Sequence, residues 1–197
     1  MIRIGIIGSI GSGKSFIAKL FKYPVFDADK EVRYLYNNSR ECYRKLNKIL
    51  PKHVKSFPVR KKDLIIAINE NKKNLRKISS IVHPMIRKKM KIFLNKKKNS
   101  KIIILDIPLL IENKLNKKND VLIFVKTNRK KIIERLKKRP NFSMKIFRSL
   151  NENQLNLSKT RRIANYLIHI NYSPNIMKKK INVLKKTVLN ERNSIRH

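Results

Sequence analysis

The stretch GSIGSGKS, residues 8 to 15, stands between an apolar run, IRIGII at 2 to 7, and the segment KSFIAKLF. The chain has only four glycines, and Gly5, Gly8, Gly11 and Gly13 all fall in its first thirteen residues. The apolar run suits a buried parallel strand, while Phe16, Ile17 and Leu20 recur at helical spacing, so the glycines join a strand to a helix. In that setting the pattern G-x-x-x-x-G-K-[ST], matched by Gly8, Gly13, Lys14 and Ser15, has a mechanism. Glycine admits positive φ and carries no Cβ, so successive backbone N–H groups can curl around a phosphate. Gly8, Ser9, Ile10, Gly11, Ser12, Gly13, Lys14, Ser15 and Phe16 are therefore candidate contacts of ATP. In that motif Lys14 would reach the β- and γ-phosphates, and the Ser15 hydroxyl would ligate Mg²⁺. The bland alternative is a glycine-rich turn without a ligand.

A length of 197 residues with 41% apolar content fits one compact domain carrying small insertions. No apolar run approaches the ~20 residues of a membrane span and no signal pattern opens the chain, so a soluble, cytoplasmic protein with no membrane partner is expected. The single cysteine, Cys42, reads as a buried or incidental thiol. Net charge is +38, which taken alone suggests nucleic-acid binding. The lysines, however, run along the whole chain, as in KKK at 96, KK at 117 and KKK at 178. That is a compositional bias more than a patch, and no specific nucleic-acid partner is expected. The charge still attracts small anions.

Further strand candidates are PVFD at 24–27, IIILD at 102–106, VLIFV at 121–125 and YLIHI at 166–170, separated by lysine-rich helical stretches. The alternation predicts a three-layer α/β fold, a five-stranded parallel sheet with helices on both faces. The interval 33–98 is too long for one crossover helix; helical segments at 61–70 and 74–95 predict an inserted helical subdomain that grips an acceptor. Carboxylates are scarce, twelve in all, and several end predicted strands: Asp27, Asp29 and Asp106. Ligands of open α/β sheets bind off those ends. Asp29 is positioned to take a proton from an attacking hydroxyl, or else to cap the helix KEVRYLY. Asp27 reads equally as structural or functional. Asp106 either orients Mg²⁺ through water or is buried against a backbone N–H.

GSIGSGKS, VFDADKEVR at 25–33, IVHPMIRKKM at 81–90 and DIPLLIEN at 106–113 together resemble the successive signatures of dephospho-CoA kinases. The likeness runs along nearly the whole chain in the family's order. It implies a P-loop NTPase fold over residues 1–197 with a lid segment at 139–160, and transfer of the ATP γ-phosphoryl group to the ribose 3′-hydroxyl of dephospho-CoA. By the same resemblance Asp29 is the general base, Asp27, Arg33 and His83 lie on the acceptor side, and Arg139 is the lid cation over the phosphates. His83 otherwise reads as a histidine at a helix junction before Pro84, bonded to a backbone carbonyl. The family's Ile-Asp-Asn stretch with its glycine is replaced here by LIHINYSP at 167–174, so no adenine contact is assigned.

Two other readings compete. Another small phosphate-loop kinase, acting on a nucleoside or nucleotide, would share residues 8–15 but not Asp27-Ala28-Asp29 with His83-Pro84. A basic RNA- or DNA-binding module would need cations on one face with aromatic residues between them. Tryptophan is absent, and no such interleaving is visible.

Overall fold

Strand β1 (Ile2–Ile7) is buried from Arg3 onward and feeds the glycine loop, after which α1 (Lys14–Leu20) turns Ile17 and Ala18 inward. The computed structural model describes residues 1–137, 144, 147, 156–170 and 173–194. Along the chain follow β2 (Val25–Asp27), α2 (Ala28–Asn38), α3 (Arg40–Ile49), α4 (Lys61–Glu70), α5 (Lys73–Lys96), β3 (Ile102–Asp106), β4 (Val121–Lys126), α6 (Arg129–Lys137), α7 (Leu157–Arg162), β5 (Tyr166–His169) and α8 (Pro174–Ser194).

The five strands form one sheet in the order β2-β3-β1-β4-β5. Ile4 of β1 is in register with Ile104 of β3 and with Val121 of β4, and Val125 pairs with Ile168, all in parallel. Strands covered on both faces read as continuous apolar runs, which is why β3 is buried at every position. Ile17 and Ala18 from α1, Phe21 at its C-cap, and Met177, Ile181 and Val188 from α8 join Ile4, Ile6, Ile104 and Ile123 in one core. Arg3 is an exception inside it. Its Nη2 donates to Asp120 Oδ2 at 3.0 Å and to the Leu115 carbonyl at 3.2 Å, and the Lys117 N–H donates to the same carboxylate at 2.8 Å.

Residues Asp27–Lys98 form a compact helical unit of their own, and Met1–Phe26 with Asn99–His197 form the other. Within the helical unit α5 packs against α2, α3 and α4. Its apolar stripe Ile78, Val82, Ile86 and Met90 recurs every fourth residue, the spacing that lays side chains along one helix face. Ser39 Oγ accepts from the Cys42 N–H at 3.1 Å and caps α3. His83 and Pro84 lie inside α5, not at the helix junction expected from the sequence. Proline is costly there, but the buried stripe extends to both sides of it and holds the helix in one piece.

Candidate active site

Between β1 and α1 the backbone does what the glycines permit. Gly8 has φ 141° and Gly13 has φ 95°, where L side chains are strained. A Cβ on Gly8 would stand 2.5 Å from the Val125 carbonyl oxygen of β4, so the loop is laid directly on the neighbouring strand. The Ser12 N–H donates to the Ser9 carbonyl at 3.1 Å, closing the turn, and Thr127 Oγ1 donates to the Ser12 carbonyl at 2.7 Å from just beyond β4. Lys14 Nζ donates back to the carbonyls of Gly8 at 3.0 Å and Ser9 at 2.8 Å. The ammonium thus lies over the loop it belongs to, where a bound anion would meet it. Ser15 and Phe16 are exposed at the start of α1, and Ile10 and Gly11 are half-buried. Ser12 Oγ is fully buried and makes no hydrogen bond among the described residues.

Asp106 ends β3, one residue past the Gly5–Leu105 pairing with β1, and is buried. The sheet therefore brings it to the strand ends from which the glycine loop departs. Ser15 and Asp106 offer hard oxygen donors of the type Mg²⁺ takes. Among the described residues no group of three or more His, Cys, Asp or Glu side chains gathers at one point.

In the helical unit, Asp27 Oδ1 accepts from the Lys30 N–H at 2.9 Å and is the N-cap of α2. The cap expected as the structural alternative for Asp29 thus falls on Asp27, because the helix begins at Ala28; Asp29 is exposed in the first turn. Arg33 is exposed one turn farther along α2, and i, i+4 residues share a face. On α5, His83 is half-buried; burial first, then the nearby Arg87 charge, holds its imidazole below the ordinary range. Lys89 bridges α5 to α2, pairing with Glu31 at 2.9 Å and standing 4.0 Å over the Tyr34 ring. Cys42 is buried, as the lone-cysteine reading expects, and burial pushes its thiol up to about 11.

The family model for dephospho-CoA kinase matches residues 2–175. The chain belongs to the dephospho-CoA kinase family. It is 32% identical over 179 residues to the dephospho-CoA kinase of Ehrlichia canis, covering 88% of this chain and 89% of that one. With the Bartonella quintana dephospho-CoA kinase it shares 35% over 172 residues, 84% of this chain and 87% of the relative. A crystal structure from Thermus thermophilus, 25% identical, superposes with a TM-score of 0.75 over 96% of this chain and 97% of the other. The fold is thus the phosphate-loop kinase fold that the glycine motif predicts.

For a member of this family, two parts of the reading fall outside the described residues: Arg139, and most of the lid segment 139–160. Thr127 was not legible as a site residue. A lone threonine after an apolar strand carries no motif, and it meets Ser12 only because β4 lies beside β1. A groove of about 510 Å³ between β5 and α8, lined by Tyr166, His169, Lys180 and Leu184 among others, includes none of the site residues. No described helix is long and apolar enough to cross a membrane.

Proposed function

We propose that this chain transfers the γ-phosphoryl group of ATP to the ribose 3′-hydroxyl of dephospho-CoA, giving coenzyme A and ADP, the final step of coenzyme A synthesis in the cytoplasm. The observation that carries the reading is the loop 8–15, with its left-handed glycines and Lys14 Nζ resting on the Gly8 and Ser9 carbonyls, in a chain of the dephospho-CoA kinase family. Donor phosphates accept from the loop amides, and the Lys14 ammonium moves from the two carbonyls onto the β- and γ-phosphate oxygens. The acceptor oxygen bonds to γ-phosphorus as the bond from γ-phosphorus to the β,γ-bridging oxygen breaks, and the hydroxyl proton passes to Asp29. Asp27 holds the start of α2, and with it the position of Asp29. Arg33 and His83 serve the acceptor side. Arg139 closes over the phosphates and offsets charge on the transferring group. Ser15 and Asp106 would hold Mg²⁺, the latter through water; the ion supplies charge neutralisation on the phosphates.

A coupled assay for ADP release tests the proposal. Turnover is expected with dephospho-CoA, and not with adenosine or AMP as acceptor. Lys14→Ala should abolish it by a factor of ~10²–10³ while the fold melts normally. Turnover on AMP or adenosine with none on dephospho-CoA would replace this reading with that of a nucleotide or nucleoside kinase.

A further inference from the structure

We infer that Arg135, on α6, is a second cation for the donor α- and β-phosphates, a ligand that the glycine motif does not include. The inference rests on reading the loop as the donor site. Helix α6 is seated against the loop by its buried residues: Ile132 Cγ2 lies 3.0 Å, and Leu136 Cδ1 3.1 Å, from where a Cβ on Gly11 would stand. The intervening Arg135 is exposed and reaches the loop's far end, with Nη1 3.8 Å from where a Cβ on Gly13 would stand. Among the described residues no hydrogen bond or ion pair engages this guanidinium. Lys14, by contrast, is tied to two loop carbonyls.

A guanidinium carries donors in a planar fork that matches two phosphate oxygens at once. The helix that carries it is placed by Ile132 and Leu136 packing beside Gly11, so only the side chain itself has to be ordered when the ligand arrives, which limits the entropic cost of the contact. Gly13 immediately precedes Lys14 in the stretch whose amides take the α- and β-phosphates. A cation at that glycine therefore meets those two groups.

Calorimetric titration with ADP and with inorganic pyrophosphate tests this, at about 0.15 M salt, where exposed charges beyond ~8 Å are screened. Arg135→Ala should weaken both probes by a similar factor, about 10- to 100-fold. Arg135→Lys should restore part of the loss, since it keeps the charge without the fork. Lys131→Ala, an exposed cation on the same helix, should stay within about twofold of the parent. Loss of ADP affinity with pyrophosphate unchanged would put the contact on the base and overturn the proposal. So would equal losses at Lys131 and Arg135, which would mark general electrostatics. If the parent binds both probes and Arg135→Ala matches it, this inference alone fails. If the parent binds neither, the donor-site reading fails and takes this one with it.

Discussion

Replacing Gly8 by alanine tests how tightly the phosphate loop is laid on the sheet. The new methyl would stand 2.5 Å from the Val125 carbonyl oxygen and 3.1 Å from Ser12 Oγ, against ~3.3 Å or more for an ordinary carbon–oxygen contact. Val125 is buried and paired with Ile168, so its carbonyl cannot swing aside, and the loop must lift by nearly an ångström. Positive φ adds strain of ~1–3 kcal/mol for a residue with a Cβ, and forcing a methyl into packed surroundings adds ~1–3 kcal/mol. A loss of about 3 kcal/mol or more follows, which for a chain of this size lowers Tm by roughly 6–12 °C. Gly13→Ala shares the backbone strain, but its methyl meets Ile170 Cδ1 at 2.7 Å, the end of a side chain that can rotate; it should melt higher than Gly8→Ala. The assay is thermal unfolding by circular dichroism with and without ADP. At ~100 times its Kd, ADP stabilises the parent by about 2.7 kcal/mol, and the lifted loop of Gly8→Ala should forfeit most of that. A Gly8→Ala protein melting within about 2 °C of the parent and keeping the ADP shift would refute the close approach of loop and strand.

Asp27→Ala should lose about 1 kcal/mol of stability with its cap, while Asp27→Asn, which still caps, should be near neutral. Asp29→Asn should melt like the parent and turn over ~10²-fold more slowly; the opposite ranking in turnover would make Asp27 the base. Asp120→Ala leaves Arg3 buried without its carboxylate, so denaturant melts should show a loss of about 3–5 kcal/mol; a loss below 1 kcal/mol would mean the pair is not desolvated. His83 binds its proton less readily when folded than its ordinary value of 6.5 implies, so its contribution is present above that pH and is lost as pH falls through the depressed value. Melts of the parent and His83→Gln from pH 7.5 down to ~5 should therefore converge toward acid, and parallel curves would refute the shift.

Elements with a strong period were legible in the sequence almost to the residue. Expected as 102–106 and 61–70, β3 and α4 occupy those ranges, and α5 extends the expected 74–95 only to Lys73–Lys96. Local chemistry was less decisive where two residues could serve one role. Asp27 and Asp29 both suit a helix start, and the choice depends on where β2 stops pairing, which is a property of the sheet. Pro84 reads locally as a break, yet Ile78, Val82, Ile86 and Met90 bury one face on both sides of it.

By itself the sequence determined the loop, because glycine φ, the Lys14 reach and the Ser15 hydroxyl are properties of eight contiguous residues whose conformations depend on one another. Tertiary structure decided what stands against that loop. Val125, Thr127, Ile132, Leu136 and Arg135 are more than a hundred residues away in the chain, and they arrive because β4 rather than β3 or β5 lies beside β1 on that side. β3 and β4 are both short apolar runs that bury both faces, and such runs carry no label for their neighbour. Their order is set by how the connecting helices cover the sheet, an energy of packing that belongs to the whole fold and to no single segment.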